Sequence, residues 1–290
     1  MVKNSGKYLI TQRIFAKMKQ LFTIVFATLI YANVWAQKIE KQEFVSPYTT
    51  SFGKDALITG GGIGLTVLGY YLITKKEDLT LAELATRTRD KVPFFDRGNA
   101  GFYSEKADID SYKPFNAAFA YPIVLMLVNK NERQNIGQIA GLYLQTMSIT
   151  GALFTLTAGT IHRSRPLVYG SNASTDYKLS SNNQRSFFAG HTAATAAASF
   201  FAAKVYSDFN PDSKSKYVIW AVAAATPALV GYLRYKAGMH FLSDNLLGYA
   251  IGAASGILVP QLHKTKALRN VSITPQAGLK YKGLAIAYNF

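Results

Sequence analysis

The chain has 290 residues, 49% hydrophobic and 17% charged, and 32 Lys and Arg against 16 Asp and Glu give a net charge of +16. That balance excludes a disordered or solvating chain, which could not bury enough apolar surface to fold. Cysteine is absent, which excludes a disulfide framework, thiolate catalysis and Cys-ligated zinc or iron–sulfur sites. The positive surplus raises nucleic acid or an anionic membrane as partner.

Residues 1–36 carry Lys3, Lys7, Arg13, Lys17 and Lys19 and no acid, and an apolar run Leu21–Trp35 ends in Val34-Trp35-Ala36 before Gln37. A basic start, a short apolar core and a small residue at the end form the pattern of an export signal. An uncleaved first membrane helix is the alternative. Removing the segment leaves 27 basic and 16 acidic residues, a net charge of +11. Nothing in the remainder forms a basic stripe, so nucleic acid is not expected.

A polar stretch, 37–54, precedes a helical region expected over 55–263. Six apolar segments recur there: Ala56–Thr74, Phe115–Val128, Ile136–Ile161, Phe187–Ala203, Tyr217–Leu233 and Leu246–Leu262. They are too long for strands, and several approach the roughly 20 residues that cross a bilayer. The expected fold is all-α, a six-helix bundle embedded in a membrane, with a soluble bundle as the alternative. Pro122 is expected to kink the second helix, and Gly60, Gly61, Gly62 and Gly64 to serve close helix packing. The insert 75–113 holds eight basic and eight acidic residues, with a short helix expected over Thr80–Arg89. In the tail, 264–290, Val271–Thr274 and Leu279–Phe290 alternate apolar and polar residues and read as a small β-hairpin.

The chemistry concentrates at helix ends. Arg163-Ser164-Arg165-Pro166 closes the third apolar helix, Gly190-His191 opens the fourth, and Arg234, His240 and Asp244 flank the turn between the fifth and sixth. In an up-and-down bundle these ends lie together. A helix beginning near His240 would put Asp244 one turn on, where its carboxylate takes the proton of one imidazole nitrogen and frees the other as nucleophile. The helix start at Gly190 and His191 turns backbone N–H groups toward an anion. Arginine grips a phosphoryl oxygen pair through its planar fork. Of the other histidines, His162 is expected to neighbour the site and His263 to lie at an interfacial surface.

At these residues the chain resembles the phosphatidic acid phosphatase type 2 superfamily, with its motifs K-x6-R-P, P-S-G-H and S-R-x5-H-x3-D, over roughly Phe115–Leu262. Arg165-Pro166 matches the end of the first, Phe188-Ala189-Gly190-His191 stands at the second, and Arg234, His240 and Asp244 match the third at full spacing. The resemblance implies a helical bundle without a metal or other cofactor. His240 would be the phosphorylated nucleophile, Asp244 its orienter and His191 the acid, with Arg165, Arg234 and Gly190 at the phosphate. Ala158, Phe188, Ala189 and Leu233 depart from the family's Lys, Pro, Ser and Ser; Arg163 is the expected replacement cation.

The expected activity is hydrolysis of a lipid phosphate or diphosphate at a bacterial inner membrane, with the site facing the periplasm. Two alternatives stay open: a soluble periplasmic acid phosphatase on small phosphomonoesters, and a non-catalytic relative that binds lipid phosphate. A vanadate-dependent haloperoxidase shares the site pattern but is disfavoured by the missing Lys. Counting spans from a cleaved signal puts the Arg165 end in the cytoplasm, and the balanced charges of the insert do not decide the side.

Overall fold

The computed structural model describes residues 45–264 and the backbone of 271–278 and 281–288. The expected signal over residues 1–36 lies outside the described residues. All described elements fall within Ser46–Phe290. Nine α-helices stand among the described residues rather than the six expected. Six are long: α1 (Phe52–Thr74), α3 (Glu105–Val128), α5 (Ile136–Thr160), α7 (Gly190–Phe209), α8 (Ser215–Lys236) and α9 (Leu242–Leu262). Three are short: α2 (Leu81–Ala85), α4 (Lys130–Arg133) and α6 (Thr175–Leu179). Two strands, β1 (Val271–Gly278) and β2 (Tyr281–Tyr288), pair antiparallel with Val271 opposite Tyr288.

Local chemistry explains where these helices begin. α3 starts ten residues before the apolar run because the Ser104 hydroxyl accepts from the Ala107 N–H at 3.2 Å, and Glu105 and Asp108 suit the positive helix start. Pro114 and Pro122 are carried within it. α2 begins with a capping box in which Thr80 and Glu83 satisfy each other's backbone N–H groups. α9 begins only at Leu242, after His240, because the Asp244 carboxylate folds back to accept from the Phe241 N–H at 2.9 Å.

Helices approach closely where one face lacks side chains. Gly248, Gly252 and Gly256 repeat every four residues on α9, one per turn. A Cβ on them would lie 2.5, 2.1 and 2.5 Å from the carbonyl oxygens of Ala189, Ala193 and Ala197. Backbone thus meets backbone, which is how small residues draw apolar helices together. On α1 the expected glycine cluster is used only in part: Gly62 meets Ser148 on α5, whereas Gly60, Gly61 and Gly64 face open space. The tighter approach is at Gly69, where a Cβ would fall 2.4 Å from backbone atoms of Thr155 and Leu156. The clustering in sequence was no guide, because neighbours one or two apart point to different faces, and it is Gly62, Thr66 and Gly69, four and three residues apart, that face α5.

α7 is the central helix, buried along nearly its whole length and touching α3, α5, α8 and α9. One apolar core of Met126, Ile139, Leu142, Phe201, Val205 and Phe209 fills one end of the bundle. At that end the segments before α1 and after α9 meet: the Thr49 N–H donates to the His263 carbonyl at 2.8 Å, and His263 faces Asp55 at 3.1 Å. His263 is therefore tied to the bundle rather than standing free at the surface. The functional end lies opposite, with the C-termini of α1, α5 and α8 and the N-termini of α3, α7 and α9.

Four helices, α1, α5, α8 and α9, are long and apolar enough to cross a membrane. Their outward faces remain apolar, with Leu57, Val67, Tyr232 and Leu246 each more than half exposed. Apolar surface of that extent is not left facing water by a monomeric soluble protein.

Candidate active site

A short loop leaves α8 after Arg234 and delivers His240 to the bundle interior. Gly238 turns it with a positive φ of 72°, and a Cβ there would lie 1.8 Å from the Phe102 carbonyl oxygen, so only glycine fits. His240 is 2% exposed. Its Nδ1 lies 2.7 Å from the carbonyl oxygen of Ser186. A carbonyl can only accept, so Nδ1 carries the proton and Nε2 of the neutral ring keeps its lone pair. Nε2 has no hydrogen-bond partner among the described residues. Burial above all, and then the charges of Arg234 and Arg165, hold the imidazole well below the ordinary histidine pKa. The ring is neutral and available as a nucleophile at neutral pH.

Asp244 does not touch His240, contrary to the expectation from their spacing. Because the helix starts after His240, the two residues share no helical face. The Asp244 carboxylate is fully buried and accepts from Arg163 Nη1, from the Ser186 hydroxyl at 2.6 Å and from the Phe241 N–H. Its hold on the imidazole runs through Ser186: the carboxylate fixes the serine side chain and the serine carbonyl fixes His240.

Arg163 is likewise not the replacement phosphate cation. Its guanidinium is divided between Asp244 and Asp96, the latter at 2.5 Å, donates to Ser243 Oγ at 3.1 Å, and lies over the Phe241 ring at 4.6 Å. Two carboxylates satisfy that charge, so it braces the loop under the site. The spacing from Arg165 brought it to the right helix end but could not reveal the carboxylates waiting there.

Arg165 and Arg234 do converge with the two histidines. Arg234 is 2% exposed, is paired through Nη1 with Asp108, and leaves its buried Nε without a partner. Arg165 donates to Met239 Sδ at 3.1 Å and weakly to Asn183 at 3.4 Å; its Nε is also buried and unpartnered. Burial first, then the charges of Arg234 and Arg185, push the Arg165 guanidinium down to about 9. His191 stands on the first turn of α7 with its ring against Phe115 at 4.6 Å and Tyr112 at 5.2 Å, and burial above all, then the charges of Arg234, Arg165 and Arg185, hold it well below the ordinary histidine pKa. Gly190 packs so tightly on Phe154 that a Cβ would lie 2.5 Å from the ring. The first N–H groups of α7 have no intrahelical acceptors, and no acid stands in that turn. His162 is exposed and has no recorded contact with these groups.

The insert supplies residues that no motif pointed to. Asp96 accepts from the Ser243 N–H at 2.9 Å and hydroxyl at 2.6 Å as well as from Arg163. Asn99 donates to the carbonyls of Tyr235 and His240 at 3.1 and 3.0 Å, spanning the loop that carries His240. Lys76, at the end of α1, donates to the carbonyls of Ile161 and Gln184 at 2.6 and 3.2 Å; burial and the Arg185 charge push it down to about 8. Arg185 was missed because it lies between the recognised motifs. No cluster of three or more His, Asp or Glu suited to a metal occurs among the described residues.

Residues 139–268 match the family model of the PAP2 superfamily. Over this segment, somewhat under half of the chain, the protein is similar to the PAP2 superfamily. No curated protein and no solved structure matched the chain. That similarity supports phosphatase activity, a phosphoester hydrolase in general, and the matched segment holds Arg165, His191, Arg234, His240 and Asp244. Asp96, Asn99 and Asp108 lie outside it and complete the setting of the PAP2 residues.

Proposed function

We propose that this protein removes phosphate from a lipid phosphate or diphosphate through a phosphohistidine at His240. The observation that carries the reading is His240 itself: its Nδ1 is committed to Ser186 and its Nε2 is unpartnered in a buried, arginine-rich end of the bundle. Nε2 attacks phosphorus, the bond from phosphorus to the leaving oxygen breaks, and that oxygen takes a proton from His191, which is protonated once the bound phosphate dianion offsets the arginine charges that otherwise keep its ring neutral. Water then attacks phosphorus and gives a proton back to His191 as the phosphorus–nitrogen bond breaks, releasing inorganic phosphate. Arg165, Arg234 and the α7 N-terminus stabilise the charge that builds on the other phosphoryl oxygens.

A lipid substrate is favoured by an apolar cavity of about 540 Å³ lined by Ala228, Gly231, Tyr232, Leu242, Leu246 and Tyr249, with Thr192 beside His191 and Tyr235 beside Arg234 at its walls. An acyl or prenyl chain fits there while the head group reaches the arginines. Purified full-length protein should release phosphate from phosphatidic acid, phosphatidylglycerol phosphate, polyprenyl diphosphate or lipid A phosphate faster than from small phosphomonoesters. Ala228→Trp should then raise KM for the lipid about tenfold and leave small phosphomonoesters unchanged. Equal rates on both classes, with no effect of the tryptophan, would select the soluble acid phosphatase reading. Binding without turnover would select the non-catalytic one.

The proposed location is a bacterial inner membrane with the site on the periplasmic side. The bundle puts the loop at Asn172 and the loop at Lys214 at opposite ends. In intact cells, an impermeant thiol reagent should label Asn172→Cys and spare Lys214→Cys; the reverse pattern would place the site in the cytoplasm.

A further inference from the structure

The site holds a third guanidinium that the motifs do not mark. Arg185 immediately precedes Ser186, whose carbonyl holds His240, and its backbone pairs with that of Arg163 in a short parallel bridge. Its side chain is half-buried, yet it has no hydrogen bond or ion pair among the described residues. The groups that act on its charge besides burial are the hydroxyls of Tyr70 and Tyr112; no carboxylate is among them. Tyr112 also packs edge-on against the His191 ring at 5.2 Å, so Arg185 and His191 flank the same side chain. The Arg185 charge reaches His191 and Arg165 in turn.

Three guanidiniums, Arg165, Arg185 and Arg234, surround the histidines, and among the described residues one carboxylate, Asp108, is set against them, paired with Arg234 and felt by Arg165. Two remain uncompensated in a low-dielectric setting, where an unpaired charge is costly unless a ligand neutralises it. A phosphate monoester dianion carries the matching charge. Arg163, by contrast, is already neutralised by Asp96 and Asp244. Ala158 is fully buried and has no polar atom on its side chain to offer.

We propose that Arg185 binds the substrate phosphate directly, as the third guanidinium of the site beside Arg165 and Arg234. This rests on the phosphatase reading above. Its consequence is that the site is charged for a dianionic phosphoryl group even with alanine at positions 158 and 189.

The test compares wild type, R185Q and R185K as full-length protein in detergent, with melting temperature recorded for each. Two readouts are taken: kcat and KM on whichever phosphoester the wild type hydrolyses, and the affinity for inorganic phosphate and orthovanadate measured by calorimetry. R185Q should lose about 100-fold or more in kcat/KM, as when one preorganised donor is removed, and should bind both anions at least about tenfold more weakly. R185K keeps a charge but not the fork and should fall between. R185Q within threefold of wild type in both readouts would overturn the proposal. If R185Q does not fold, R185K decides: several-fold weaker anion binding supports the contact and unchanged binding overturns it. If the wild type hydrolyses nothing, the phosphatase reading fails, while the anion affinities still report on Arg185.

Discussion

His240→Ala is expected to reduce phosphate release by about 10³-fold or more, to the background of the assay, with the protein still folded. The large loss follows from the imidazole supplying the attacking atom, so that no other group in the bundle replaces it. Folding should survive because His240 offers the interior one hydrogen bond, to the Ser186 carbonyl, and that carbonyl sits at a loop where water can take the vacated place. Its backbone carbonyl, held by Asn99, is unaffected by the change. Lipid binding should persist, since Arg165, Arg234 and the apolar cavity remain. Phosphate release and lipid affinity, measured together, separate a lost nucleophile from a lost site.

Asp244→Ala should damage fold and activity at once. The carboxylate joins three elements: Arg163 after α5, Ser186 before α7 and the Phe241 N–H at the start of α9. Removing it strands a largely buried guanidinium that retains Asp96 as its remaining carboxylate, and leaves a serine hydroxyl and a backbone N–H without an acceptor. Breaking a buried pair in this way costs about 3–5 kcal/mol. For a chain of this size, a melting temperature lower by on the order of 10 °C follows. Activity should fall about 100-fold or more even where the protein stays folded, because Ser186 no longer fixes the carbonyl that orients His240. Asp244→Asn keeps the shape and the contacts to Ser186 and Phe241 but loses the charge opposite Arg163, and should lie between. An unchanged melting temperature for Asp244→Ala would show that the carboxylate does not bind these elements together.

Much of this arrangement was legible in the sequence. The apolar runs located all six long helices, because a helix buried on one side and greasy on the other shows in composition alone. Helix starts were read less well. α3 begins at Glu105 because Ser104 caps it, and its charged first turns fall outside the apolar run. The start of α9 depends on Asp244 folding back onto Phe241, which removed His240 from the helix and broke the expected His–Asp contact. Arg165, Arg234, His191 and His240 could be placed together from the sequence because their spacing sets each at the same end of an antiparallel bundle, and the fold brings them to that end.

The remainder was hidden by distance along the chain. Asp96 and Asn99 meet Ser243 and His240 across more than a hundred residues, with no local periodicity to mark them. The charge-mixed insert therefore reads as a solvated stretch, although its buried Asp96 and Asn99 hold the loop that carries His240. Arg163 and Arg185 show the same limit from the other side. Both stand near the motifs, yet only the folded chain reveals that the first is neutralised by two carboxylates and the second by none.

The most direct measurement is a reaction of the full-length protein with a lipid substrate carrying a radiolabelled phosphoryl group, stopped with alkaline dodecyl sulfate. Label should be retained on the wild-type protein, stable to base and lost in acid as a phosphohistidine is, and should map to the peptide containing His240, while His240→Ala should retain none. Turnover without protein-bound label, at a rate that His240→Ala leaves unchanged, would contradict it.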